Sequence, residues 1–265
     1  MERDVPAIGF VNERGLHVDD AVDKGRVDLL RLWLAAGLEL GNHSFSHFDL
    51  HRTALEEFKA DVLRGQVITG NLIAVREQTI RYFRHPFLRT GLSLDNKHEL
   101  ENFLTAHGYR VAPVTIDNSE WIYARANDLA IQVGDTAFAE QLGSEYVNYM
   151  LKMFAFYEDQ SAQIFKGNIS QVLLLHANEL NSDWFGTLAD SLFGKGYASI
   201  TLAEALQDPA YQSADTYIGA GGITWLHRWA ISRNADPVMF RGEPKTPDYI
   251  LKLTELSEHN YPTEP

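Results

Sequence analysis

Apolar positions along the chain recur in two periods that alternate, and that alternation is the first clue to its architecture. "VPAIGFV" (5–11) opens as a short, continuously apolar run of the kind a buried strand shows. "VDLLRLWLAAG" (27–37) follows with the three-to-four spacing of an amphipathic helix, and Gly37 is placed to end it. "LELGNHSFSH" (38–47) reads as a short strand running into a loop. "TALEEFKADVLRG" (53–65) reads as a second helix, with Thr53 and Glu56 at capping-box spacing.

The same beat continues downstream. "TIRYFRHPF" (79–87) predicts a strand broken by Pro86, "HELENFLTAHG" (98–108) a helix, and "YRVAPVTID" (109–117) a strand. A helical stretch over 124–166 precedes the most hydrophobic strand, "SQVLLLH" (170–176); "WFGTLADSLFGKG" (184–196) predicts another helix, and 197–208 a last strand and short helix. Such alternation predicts an α/β fold with parallel strands, whose functional residues gather where strands end. His43, His47, Arg84, Asp117 and His176 all fall at such ends. Beyond Pro209 the chain reads as an extension wrapped on the core, so the expected division is 1–207 for the main domain and 208–265 for the extension. Within it, Trp225, His227 and Trp229 in "GGITWLHRWA" (221–230) alternate as on a strand, which would suit a sugar-stacking surface; packing onto the core is the plainer expectation.

Composition narrows the chemistry. With 265 residues, 45% of them hydrophobic and 22% charged, the chain can bury a full-sized core, removing about three quarters of its unfolded surface from water. A formal charge of −13 and no basic run argue against nucleic acid or an anionic membrane as partner. The absence of cysteine leaves only His, Asp and Glu for any metal, and excludes disulfides and cysteine nucleophiles. No apolar run reaches the ~18 residues of a spanning helix, and the first residues do not read as an export signal, so a periplasmic or secreted location would require a signal lying upstream.

"HSFSH" places His43 and His47 four residues apart, where a helical turn would set both rings on one face. Alone, such a pair also suits a solvated helix surface, and Ser44 stands where a zincin would need glutamate. Its meaning comes from the motifs in order: "GNHSFSH", "FRHPF", "TIDNSEW" and "LLLH". Together these resemble the polysaccharide deacetylases, the NodB-like carbohydrate esterases of family four, over roughly residues 5–207. The resemblance implies a distorted (β/α) barrel of about seven strands, with the first strand missing here. It implies that His43 and His47 bind a divalent metal, most often zinc, with Ser44 bracing the loop between them. Arg84 would orient a catalytic carboxylate, Pro86 and Phe87 would wall the groove, and a backbone N–H near Phe87 would help bind the oxyanion. Trp121 would line the acetyl pocket beside Leu174. His176 would be the general acid, tuned by Glu120 or Asp117; Glu120 stands where the family more often has aspartate or serine.

One departure is serious. The family's Thr-Phe-Asp-Asp motif, which supplies the catalytic base and the third metal ligand, lies ahead of the segment "VPAIGFV" resembles, and this chain has no counterpart. Asp19-Asp20 follows that segment at an expected helix start, where acidic residues suit the macrodipole. The expectation is a protein naturally longer by about one strand and helix, the competing one a natural chain that has lost activity. Either way this chain is expected to bind metal weakly and to show almost no deacetylase activity. The implied function is metal-dependent removal of acetyl groups from a glycan, N-acetylglucosamine units of chitin oligomers or peptidoglycan above all. The alternatives are a catalytically inactive glycan-binding form and an O-acetyl xylan esterase. Among the other histidines, His51 is expected in an exposed linker, His85 at the groove edge, and His17, His98 and His107 in solvent. The resemblance also implies a bacterial source.

Overall fold

A computed structural model describes residues 4–257. Four strands form a parallel sheet: β1 (Ile8–Val11), β4 (Glu39–Asn42), β5 (Tyr82–Phe83) and β6 (Arg110–Val111), in that spatial order. Register runs Val11 beside Asn42, Asn42 beside Phe83, and Phe83 beside Val111, so the carboxyl ends of all four strands lie along one edge. A parallel bridge between Ile116 and Leu173 carries the pattern one step further. The barrel is not closed among the described residues, but the parallel α/β plan is the expected one.

Between β1 and β4 lie a two-stranded hairpin, β2 (His17–Val18) with β3 (Ala21–Val22), and helix α1 (Lys24–Ala35). Asp19 and Asp20 are the hairpin's two turn residues, both left-handed at φ 49° and 62°, the geometry of a tight primed turn that Asp tolerates. They do not start a helix, as their acidity had suggested; Asp23 caps α1 instead, accepting from Arg26 N at 3.0 Å. Helices α2 (Leu55–Arg64) and α3 (Val67–Ala74) precede β5, and α4 (Leu94–Ala106) leads to β6. The Thr53 capping box does not form: the cap position of α2 is Ala54, which makes no side-chain bond.

The predicted strands are shorter than their apolar runs, for local reasons. Pro113 interrupts 109–117, since it has no N–H to give a ladder. Over 170–176, Thr115 Oγ1 accepts from Val172 N at 2.7 Å, taking the donor a neighbouring strand would use. The segment after Gly196 joins no ladder among the described residues, with Ser199 Oγ donating to Asp4 O at 2.9 Å and Ile200 exposed.

The second half is helical. The stretch 124–166 is two helices, α5 (Glu120–Gln132) and α6 (Thr136–Phe165), divided at Gly134, which sits at φ 75°. Helix α7 (Glu179–Gly194) and the short α8 (Leu202–Ala205) follow, then α9 (Trp225–Ser232) and α10 (Asp248–Thr254). The 221–230 stretch that alternates in sequence is thus half loop and half helix, with Trp225 and Trp229 buried in one cluster beside Ile122 and Met150. Of the C-terminal extension, residues 258–265 lie outside the described residues. Apolar clusters back the sheet on both faces: Phe58, Phe83, Leu100 and Tyr109 together with Val11, Val27, Leu34 and Leu40 on one, and Phe10, Tyr82, Ala112 and Leu206 on the other. Among the described residues no helix is long and apolar enough to cross a membrane.

Candidate active site

The site lies at the strand ends. His43 follows β4 directly, and its N–H donates to Val11 O at 3.0 Å, while Arg84 N donates back to Asn42 O at 3.0 Å. After Asn42 the chain leaves the sheet, yet it makes no helical turn. Ser44 and His47 both adopt left-handed backbone, at φ 64° and 54°. That shape is costly for non-glycine residues, and buried polar groups hold it. Asn42 Oδ1 accepts from Ser44 N at 2.7 Å, and Ser44 Oγ accepts from His47 N at 3.1 Å. Asp61, buried in α2, accepts at Oδ2 from Phe45 N and Ser46 N at 3.1 and 2.8 Å. Gly65 permits the approach of α2: a Cβ there would lie 2.2 Å from the Ser44 carbonyl carbon.

These constraints bring His43 Nε2 and His47 Nε2 to 3.1 Å. The His43 Nδ1–H donates to Arg84 O at 2.8 Å, fixing the tautomer so that Nε2 presents its lone pair to the partner ring. Burial, reinforced by His47, pulls His43 well below the usual histidine range. Burial and then His176 bring His47 down to about 4. Both rings are therefore neutral at pH 7 and able to ligate. The pair fits two positions of a divalent ion, but among the described residues no group of three His, Cys, Asp or Glu side chains converges on one point.

Arg84 is buried, its guanidinium 4.4 Å from the Phe10 ring centre. Its Nε has no hydrogen-bond partner among the described residues. Burial lowers its pKa to about 10 against the opposing charge of Asp117. The Phe87 ring lies 4.5 Å from that of His47, and Pro86 is buried beside it in the same loop.

The second half of the site is a carboxylate held by four donors. Glu120, fully buried at the first turn of α5, accepts at Oε1 from His176 Nδ1 at 2.5 Å and His176 N at 2.8 Å. Its Oε2 accepts from Asn178 at 2.9 Å and Asn181 at 3.1 Å. Of the two acids expected to tune His176, Glu120 is therefore the one that holds the ring. Burial alone would lower the His176 pKa, but the Glu120 hydrogen bond and charge, with Asp117 behind, outweigh it and the value rises. Asp117 acts by its charge on both Arg84 and His176, and accepts from Asn118 N at 2.9 Å. Trp121 and Leu174 are partly buried against the helical core.

Two expectations about neighbouring histidines fail. His51 is half-buried rather than an exposed linker residue, and its Nε2 accepts from Gly91 N at 3.3 Å. His85 is buried between Phe83 and Trp225, and burial pushes it down to about 3. Asn42, Asp61, Asn178 and Asn181, which hold the site, escaped the sequence reading. Only Asn178 carried a signal, as a cap residue ahead of α7, accepting from Asn181 N at 2.9 Å.

Residues 1–112 match the family model described as polysaccharide deacetylase. No curated protein matches the chain. Among solved structures it is similar to a mutant CE4 family pseudoenzyme with restored enzymatic activity, at 17% identity and TM-score 0.48, covering 77% of this chain and 58% of that one. The wild-type pseudoenzyme from Bacillus anthracis is similar at 15% identity and TM-score 0.45, over 77% of this chain and 56% of that one. The Xyl-CE4 domain of a multidomain xylanase from the hindgut metagenome of Trinervitermes trinervoides is similar at 14% identity and TM-score 0.45, over 80% and 81%. The chain thus spans less than two thirds of the pseudoenzyme's length.

Proposed function

We propose, on the premise that the chain belongs to the polysaccharide deacetylase family through residues 1–112, that its site serves the hydrolysis of acetyl groups on a glycan, with N-acetylglucosamine units as the leading substrate class. The observation that carries this reading is the meeting of the His43 and His47 Nε2 atoms at 3.1 Å, with His43 Nδ1 anchored on a backbone carbonyl. His43 and His47 would hold a divalent metal, zinc by donor type, and such an ion supplies a water acidic enough to attack near neutral pH.

The chain's own residues do the rest. Glu120 fixes His176 through Nδ1, so Nε2 is the ring atom able to give a proton to a leaving amine. A raised pKa suits a donor, because the ring then carries that proton closer to neutral pH. Arg84 has an unpartnered Nε to orient a carboxylate, Phe87 walls the groove beside His47, and Trp121 with Leu174 would line the acetyl pocket.

A second reading is a glycan-binding protein on a deacetylase scaffold. It is favoured by the incomplete donor set among the described residues. Acetate release from chitin oligosaccharides and from acetylated xylan, with and without added zinc, separates the readings. Metal-dependent release supports hydrolysis, and its preferred polymer separates N- from O-acetyl. Glycan binding without release, lost in Trp121→Ala, supports the binding protein.

A further inference from the structure

Phe87 and Leu88 are consecutive left-handed residues, at φ 53° and 52°, and neither is glycine. Two such residues in a row cost free energy that the surroundings must offset. The surroundings here come from the C-terminal extension. Arg228, on α9 and 1% exposed, donates from Nη2 to Leu88 O, from Nη1 to Thr90 Oγ1 at 2.8 Å, and from Nε to Ile223 O at 3.0 Å. Its guanidinium lies 5.0 Å from the Tyr217 ring centre and 4.9 Å from that of Trp225, with the Asp215 carboxylate at 3.8 Å. Gly222 rests against the strained turn itself: a Cβ there would lie 1.7 Å from Phe87 O, backbone that cannot swing aside.

The opposite face of the same loop meets the histidine loop. The Phe87 ring stands against His47, Arg89 pairs with Asp49, and Gly91 N donates to His51. Residues 85–91 are therefore gripped between the C-terminal extension and the segment that carries the histidine pair.

We propose that residues 215–228 clamp the 87–88 turn, and that Arg228 is a positioning residue which, through Phe87, sets the orientation of His47. The metal half of this inference rests on the reading of His43 and His47 as ligands; the clamp itself does not. A planar fork with three bonded nitrogens suits the task better than a lysine, whose single ammonium reaches one acceptor at a time.

Hydrogen exchange and zinc titration on the full chain test both parts. In Arg228→Met, amide exchange over residues 85–91 rises about tenfold while α2 is unchanged. Arg228→Lys falls between that variant and the parent. Zinc affinity, titrated with the metal alone, weakens about tenfold in Arg228→Met, as for loss of an outer-shell support. If Arg228→Met does not fold, Thr90→Val removes one acceptor and gives a smaller rise confined to the same loop. Unchanged exchange over 85–91 in a folded variant, or a rise spread equally over α2 and α4, overturns the clamp. Looser exchange with unchanged zinc affinity overturns the positioning role. A parent that binds no zinc defeats the metal reading, while the exchange result still decides the clamp.

Discussion

The two halves of the site are held by different physics. His43 and Arg84 are placed by the sheet: each follows a strand directly, and backbone ladder bonds such as Arg84 N to Asn42 O set their positions. Among the described residues, His176 follows a segment joined to its neighbour only around the Ile116–Leu173 bridge, and is held by a buried carboxylate with four donors. A ladder distributes the work over many weak bonds, whereas the Glu120 network concentrates it in one side chain. The helical half is therefore the more fragile to a single substitution.

The strongest break is Glu120→Ala. It takes the Glu120 acceptor from the buried Asn181 amide and from the partly exposed His176 N and Asn178, and the expected loss is about 3 kcal/mol in urea denaturation. A loss under about 1 kcal/mol would place the organising element elsewhere. On the sheet side, the nearest equivalent is Asp61→Ala, which removes the acceptor of Phe45 N and Ser46 N. The expected cost is about 2 kcal/mol, with weaker zinc binding, since the loop's left-handed residues lose a support. Equal losses at Glu120 and Asp61 would erase the contrast between the halves.

Their response to acid sharpens it. His47 has its pKa lowered from 6.5 to about 4 in the folded chain. Between those values the unfolded chain binds the extra proton, so this group's contribution falls as pH drops from 6.5 to 4, by about 2 kcal/mol once its partial exposure is allowed for. His176 works the other way. Its folded pKa is raised, so its contribution is fully present below the unfolded value and is lost as pH climbs through the folded one. With a chelator present, His47→Gln flattens the acid loss of stability, though His43 retains a share. His176→Gln steepens that loss. Denaturation midpoints from pH 4 to 8 read both slopes, and a change of slope in the same direction from the parent in the two variants would contradict the assignment.

Why one half was more legible than the other follows from the same contrast. Strand ends are marked in sequence by where apolar runs stop, so His43, His47, Arg84 and His176 stood out, and the parallel α/β plan with them. The bonds that hold them come from residues whose partners are far along the chain: Asp61 to Ser46, Asn181 to Glu120, Arg228 to Leu88. No local period encodes such pairings. Asp61 in particular occupies a helix position that reads as solvent-facing charge. The HxxxH spacing suggested that a helical turn would bring the two rings together, whereas two left-handed residues do so. Thr115 Oγ1, which shortens the strand at Val172, is equally silent in sequence, because threonine is a favoured strand residue.

The smallest expected effect separates spacing from structure at a helix start. Thr53 and Glu56 have capping-box spacing, yet the cap position of α2 is Ala54. Ser93 has no such signature nearby, yet its Oγ accepts from Asn96 N at 3.2 Å at the start of α4. Ser93→Ala is therefore expected to cost about 1 kcal/mol, and Thr53→Ala less than about 0.5 kcal/mol. Thermal denaturation of the two single variants side by side checks the order. A larger loss at Thr53 would mean that α2 begins as its sequence spacing suggests, and that the segment carrying His51 into α2 is held by Thr53 as well as by the bond from Gly91 N.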